Sequence, residues 1–201
     1  TKNRFADNKI QANLELFYYR YTDQLVQQYN GTFINYNAPR TRMYGAELET
    51  AWAVSSNTRV NMKASYLNAK IGTFVSPAGD LSGFTLPFSP KWTVLGGFEQ
   101  AFPLDSGDEI KLRVDSTYNS GYWDDFAHFA SLRQESFTKT DINLTYSTAG
   151  DQLEFGLWVR NLENRNVHAA AAEVGSANPN ITGAVFLEAP RTYGGRMVAK
   201  F

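Results

Sequence analysis

The sequence contains no cysteine, so disulfide frameworks and thiolate metal sites are excluded. Histidine is almost missing too. His128 and His168 stand far apart, without the spacing of a zinc-protease helix, and no metal site is expected from them. A basic surplus is absent: 19 Lys and Arg face 20 Asp and Glu, a net charge of −1, which argues against nucleic-acid binding through bulk charge. No run of about 18 apolar residues occurs, so no transmembrane helix is expected. No Gly-rich phosphate loop and no supported Ser/His/Asp arrangement is present, so the chain reads as a non-enzyme with no catalytic residues and no cofactor. No charged-then-apolar leader follows Thr1, as expected of a processed protein or a piece of a longer one. What the 201 residues do hold is aromatic side chains, at 14%, with 43% apolar and 19% charged residues, a balance that argues against disorder.

The pattern that organises these residues has period two. Ile10, Ala12, Leu14, Leu16 and Tyr18 alternate with Lys9, Gln11, Asn13, Glu15 and Phe17. The alternation returns at Tyr44 to Val54, Val60 to Tyr66, Trp92 to Phe102, Ile110 to Tyr118, Ile142 to Tyr146, Leu153 to Val159 and Tyr193 to Phe201. It predicts about eight strands, most of them about 10 to 14 residues long, against about 5 to 6 in soluble proteins. A tilted membrane-spanning strand needs about 9 to 11. No segment reads as a helix, and the alanines at 169–172 read as loop. Short links at 55–57, 103–108 and 148–151 trade places with long ones at about 22–40, 72–88, 121–135 and 164–189. An antiparallel up-and-down sheet with one plain rim and one elaborated rim gives that layout.

Charge falls on one face of these strands. Glu15, Glu47, Glu49, Lys63, Lys91, Glu99, Lys111, Arg113, Asp115, Asp141, Glu154, Arg160, Arg196 and Lys200 all occupy the alternate set. A soluble sandwich would turn the apolar face into a core, whereas a membrane barrel would turn it toward lipid. Aromatic placement favours the barrel. Tyr18, Tyr44, Tyr66, Trp92, Tyr118 and Tyr193 fall near the long-loop rim, and Trp52, Phe102, Tyr146 and Phe201 near the short-turn rim. Two such belts suit the two membrane–water interfaces, where a ring with a polar tip is wet at one end. Trp92 to Phe102 at about 3.3 Å per residue and a tilt near 40° spans about 25 Å, the height of an outer-membrane barrel's apolar band. The fold expected is therefore all-β, an antiparallel up-and-down transmembrane β-barrel. A complete small eight-stranded barrel with a structural or adhesive role, and a soluble all-β binding module, stay open as alternatives.

The closing segment, from Ala189-Pro190-Arg191-Thr192-Tyr193 to Met197-Val198-Ala199-Lys200-Phe201, resembles the last strand of TonB-dependent outer-membrane receptors. Val159-Arg160-Asn161-Leu162-Glu163-Asn164, Tyr44-Gly45-Ala46-Glu47-Leu48-Glu49 and Ser89-Pro90-Lys91-Trp92-Thr93 are similar to the family as well, in order, over about residues 3–201. The resemblance implies that residues 1–201 are the C-terminal portion of a 22-stranded barrel, with the plug domain and TonB box outside this sequence. It implies uptake of a scarce nutrient, foremost a ferric siderophore, across the bacterial outer membrane. The implied partners are outer-membrane lipid and lipopolysaccharide, the TonB complex acting through the missing N-terminal region, and the barrel-assembly machinery, whose signal Phe201 resembles. Gly195 sits one position off that signal's usual spacing.

Glu47 and Glu49 read as solvated or cation-paired lumen residues rather than an acid–base pair. The best ligand-contact candidates lie in the loop 121–129: Tyr122, Trp123, Asp124, Phe126 and His128. Exposed rings beside acids and an imidazole suit an amphipathic ligand held by stacking and hydrogen bonds. The competing reading has the same aromatics packing this loop against its neighbours or touching lipopolysaccharide. His168, in the last long loop, is equally open to either role.

Overall fold

The computed structural model describes residues 1–29, 33–76, 79–173 and 183–200. Its strands are β1 (Lys2–Phe5), β2 (Ile10–Tyr29), β3 (Phe33–Ala53), β4 (Thr58–Ile71), β5 (Val75–Ser76), β6 (Gly79–Asp80), β7 (Trp92–Pro103) and β8 (Glu109–Asn119). β9 (Tyr122–Trp123), β10 (Arg133–Gln134), β11 (Phe137–Ser147), β12 (Leu153–Arg160), β13 (His168–Glu173), β14 (Gly183–Leu187) and β15 (Thr192–Ala199) follow. Nine of these form one sheet in the order β1-β2-β3-β4-β7-β8-β11-β12-β15, antiparallel at every step. The other three pairs are small ribbons inside the long connections. The described helical turns are two 3-10 pieces, Ala130–Leu132 and Ala149–Asp151.

All eight expected strands are present, and the sheet carries a ninth. β1 is four residues long with a single large apolar residue, Phe5, so alternation could not reveal it. The turn after it is also disguised. Ala6, Asp7 and Asn8 all take positive φ, at 50°, 53° and 67°, without a glycine to announce the reversal.

Residues 22–40, expected to be a long loop, are instead mostly strand. β2 and β3 stay paired from Ile10↔Trp52 out to Tyr29↔Phe33, so the hairpin rises well beyond the other strands. Polar residues such as Gln24, Gln27 and Gln28 broke the apolar alternation there, because above the membrane neither face of a ribbon needs to be greasy. The stretch 169–172 is likewise strand rather than loop: Ala170, Ala171 and Ala172 pair with Phe186, Val185 and Ala184. Alanine has weak strand preference, and the partner that decides the matter lies over ten residues away.

The registers align the facing set. Tyr18 stands opposite Tyr44, and Tyr66 opposite Trp92 with ring centroids 4.9 Å apart. At the other rim Ile110 lies opposite Tyr146, and Tyr146 opposite Phe155. Among the described residues no second sheet covers this apolar face. Leu16 is 73% exposed, Leu157 64%, Met197 65% and Tyr193 80%. A sandwich would have buried these side chains, and left uncovered in water they would form an apolar surface far larger than soluble monomers tolerate. Hydrocarbon is the solvent that suits them. Phe201 lies outside the described residues. Lys91 departs from its expected place on the ionic side: its Nζ lies 5.7 Å from the ring centre of outward-facing Tyr66. It precedes the first paired residue of β7, so the strand's alternation does not govern it, and its long stem lets the ammonium reach the interface.

The short rim is tied across its turns. Asp108 accepts the Tyr146 hydroxyl at 2.7 Å and the Ala149 amide at 2.9 Å. The Tyr146 hydroxyl first, then the Ala149 amide and Ser106, hold the Asp108 carboxyl below the ordinary carboxylate range. A depressed folded value means stability that is present above the unfolded pKa and lost as pH falls through the folded one. Hydrogen-exchange protection at Ala149 should therefore drop as pH falls below about 4, and Asp108→Asn should abolish that dependence.

Candidate functional site

The ionic face of the sheet is lined by ion pairs, most of them across neighbouring strands, with Arg113 and Asp115 paired along β8 itself. Glu49 lies opposite Lys63 and meets its Nζ at 2.7 Å, while the Asn13 amide donates to Glu49 at 3.2 Å. Arg113 grips Asp115 through two hydrogen bonds, of 2.7 and 3.0 Å. Arg59 faces Glu99 at 3.8 Å, Arg160 faces Asp141 at 3.7 Å, and Arg196 pairs with Glu154. Asp115 and Asp141 lie directly opposite each other, and each has its own arginine. Glu49, one of the two carboxylates considered as an acid–base pair, is thus a salt-bridged wall residue. Between the ion pairs run aromatics: Phe17, Tyr19 and Tyr21 form a ladder with centroids 5.5 and 6.3 Å apart. Phe17 lies across Gly45, where a Cβ would come within 2.6 Å of the ring, so glycine makes room for the ladder's first rung.

Toward the long-loop rim this wall opens into a recess of about 260 Å³, lined by Asp115, Thr117, Asn119, Phe137, Lys139 and Asp141, with Glu188 at its edge. Lys139 and Glu188 form an ion pair. Above the recess the long connections pack on one another. Leu132, only 1% exposed, sits where a side chain on Gly183 of β14 would collide with it at 2.3 Å. A second cluster, of Ala69, Ile71, Phe74, Leu81 and Leu86, fastens the connection after β4 to the sheet, with Phe126 packed against it.

Both histidines of the chain clasp loops together here. The His128 ring is sandwiched between Phe84 at 4.4 Å and Trp123 at 4.7 Å, each tilted by only 10°. Its Nε2 lies 3.1 Å from the Thr85 carbonyl oxygen and 3.2 Å from the Thr85 hydroxyl. His168 Nδ1 lies 2.5 Å from Asp124 Oδ2, with the Asp124 side chain fully buried. The His168 amide also donates to Gln134 Oε1 at 2.8 Å. Asp125 receives the amides of Ala127 and Phe129 and shapes the turn between them. Burial pushes its carboxyl up, against the pull of those two amides. Burial likewise pushes the Tyr122 hydroxyl up to about 12, helped by Asp124 and Glu188.

Of the five residues singled out in loop 121–129, Asp124 is buried, while Tyr122, Trp123, Phe126 and His128 are half-buried. Trp123 carries His128 on its ring and has the Arg133 guanidinium 5.1 Å from its centre. The loop is thus joined to Phe84, Thr85 and Phe88 on one side and to His168 on the other. Sequence reasoning missed the Asp124–His168 and Thr85–His128 contacts, because their partners lie 44 and 43 residues apart and nothing local links them. Among the described residues, no group of three or more His, Asp or Glu could hold a metal ion.

The family model described as "TonB dependent receptor-like, beta-barrel" matches residues 1–162. Comparison with curated protein sequences finds no match. Among solved structures, the ferric yersiniabactin uptake receptor FyuA from Yersinia pestis is similar, with TM-score 0.78 and 17% identity, covering 98% of this chain and 28% of that one. The siderophore receptor PiuA from Acinetobacter baumannii gives TM-score 0.73 and 15% identity over 98% of this chain and 26% of its own. The pyoverdine outer membrane receptor FpvA from Pseudomonas aeruginosa PAO1 gives 0.69 and 13% over 100% and 28%. The chain thus spans little more than a quarter of each of these proteins.

Proposed function

Because the chain belongs to the TonB-dependent receptor β-barrel family and lies in the bacterial outer membrane, we propose that it is one wall of a nutrient-uptake receptor whose foremost substrate is a ferric siderophore. The observation that carries this reading is the state of the sheet's edges. β1 and β15 both run toward the short-turn rim, and among the described residues they are not paired with each other. Two edges running the same way cannot close an antiparallel barrel. β1 also occupies the side of β2 that an eight-stranded closure would need. An open edge in hydrocarbon costs several kcal/mol per unpaired group, so an odd number of further strands is required. Thirteen more would complete a barrel of 22. A small self-closing barrel meets none of this.

Inside such a barrel the recess under the loop cluster faces the ligand's path. Tyr122, Trp123 and Phe126 offer ring edges to an amphipathic chelate, while Asp124 and His128 hold the loop that presents them. The work is capture and passage, with no bond made or broken by the chain. The TonB complex would act through regions outside this sequence, and the assembly machinery would read the closing strand.

The test is uptake of radiolabelled ferric chelates by iron-starved cells that lack the gene and carry it back on a plasmid. Restoration that collapses with the proton-motive force supports the reading; uptake unchanged by deletion for every chelate tried overturns the substrate class. In the full receptor, Trp123→Ala should weaken chelate binding about tenfold, the scale of one lost aromatic contact, with barrel heat resistance unchanged.

A further inference from the structure

The outward positions of the nine strands carry few charges, and all of them are basic. Arg20 lies opposite Arg42, and Arg42 opposite Lys70, so three cations stand side by side across β2, β3 and β4. Arg40, opposite Thr22, adds a fourth one outward position further along β3. All four are exposed, and among the described residues none makes an ion pair with a carboxylate. Like charges placed directly opposite on neighbouring strands repel, at about 5 Å between Cβ atoms, so this row calls for an anion. Its height says where the anion comes from. Arg20 and Arg42 each lie two residues beyond the belt residues Tyr18 and Tyr44, about 7 Å further toward the long-loop rim. That is the headgroup layer above the acyl chains. Lys91, reaching over Tyr66 of the same belt, flanks the row from β7's side.

We propose that Arg20, Arg42 and Lys70 form a binding site for a phosphorylated lipid headgroup of the outer leaflet. The inference rests on the reading that the apolar face meets lipid. A phosphate seated between neighbouring strands accepts hydrogen bonds from both guanidinium groups, with the Lys70 ammonium as a third partner, while the lipid's chains lie along Leu14, Leu16 and Leu48 below. The site would bind lipid to one sector of the wall, beside the tall β2–β3 hairpin.

The experiment uses the full receptor extracted from outer membranes and native mass spectrometry on its folded, heat-modifiable fraction. Three probes are added: bis-phosphorylated lipid A, the same lipid A stripped of phosphate, and inorganic phosphate as competitor. The wild type should retain phosphorylated lipid A and not the stripped form, and millimolar inorganic phosphate should not displace it. Each Gln substitution should weaken retention about fivefold, and the triple variant Arg20→Gln, Arg42→Gln, Lys70→Gln on the order of a hundredfold. The charge-conserving variant Arg20→Lys, Arg42→Lys, Lys70→Arg guards against misfolding and should retain most of the binding. Equal retention by wild type and triple variant, or equal loss in the lumen variant Arg59→Gln, overturns the proposal. Displacement by inorganic phosphate also overturns it, in favour of a free-anion site. A nitroxide at Leu48→Cys, tested for oxygen accessibility, reads the facing independently: hydrocarbon there with no lipid A selectivity sinks the headgroup site alone.

Discussion

Leu112→Arg is expected to lose about 2–4 kcal/mol of barrel stability, the cost of a cationic side chain on the lipid face within the apolar band. Leu112 lies on β8 opposite Gln100 of β7 and Leu144 of β11, in the outward set with Ile110 and Val114. In the membrane the guanidinium must either drag water inward or bend toward an interface more than one strand residue away. The contrast is Asp115→Asn, three positions along the same strand and on the opposite face. It removes the charge and one of the two oxygens that accept from the Arg113 fork but leaves both groups in an aqueous lumen, where a half-exposed ion pair is worth about 1 kcal/mol at most. Heat-modifiability on gels and urea unfolding in lipid bilayers read both variants in the full receptor. If Leu112→Arg assembles and resists heat like the wild type while Asp115→Asn does not, the two faces have been exchanged.

That facing was legible in the sequence because it is enforced residue by residue. A strand that meets oil on one side and water on the other cannot slip by one position without inverting every side chain. So Leu14, Leu16, Tyr18 and their partners on β3 could be assigned without a structure, and so could the belt rings Tyr44, Tyr66 and Trp92. The rule stops where the two-solvent condition stops. Above the membrane neither face of the β2–β3 hairpin meets oil, although Tyr36 packs on Phe74 of the next connection, so its residues lose the alternation and the sequence reads as loop. β1 is too short for a period. The alanine strand β13 is defined by its partner β14, not by its own residues.

The loop site was legible only as a list of residue types. Tyr122, Trp123, Asp124, Phe126 and His128 were singled out as a group of aromatics with acids and an imidazole, and the structure does bring Trp123 and His128 face to face. What the list could not carry is direction. Whether Asp124 points at a ligand or at His168 depends on a connection over forty residues later, and local spacing holds no information about it. The same holds for the row Arg20, Arg42 and Lys70, which becomes a row only once the registers of three strands are known.

Removing the Asp124 carboxylate should loosen the outer loops as a unit. Asp124→Ala leaves His168 Nδ1, now 2.5 Å from Oδ2, without its partner in a site where the carboxylate is fully buried, at a cost of about 1–3 kcal/mol. Because His168 also anchors its amide to Gln134, the loss should pass to Leu132 and the 120–136 connection on one side and to β13 on the other. Hydrogen exchange should therefore rise together across residues 120–136 and 167–173, while β8 and β11, held by eleven paired positions, stay protected. His168→Ala should produce the same pattern, and the double variant should cost little more than either single one, since both remove the same contact. Strict additivity would mean that Asp124 and His168 act separately. Exchange that rises only at residues 122–126 would mean that the clasp does not couple the loops. In either case Asp124 would not be what supports the chelate-binding surface proposed at Tyr122 and Trp123, and Asp124→Ala should then leave chelate affinity unchanged rather than weaken it.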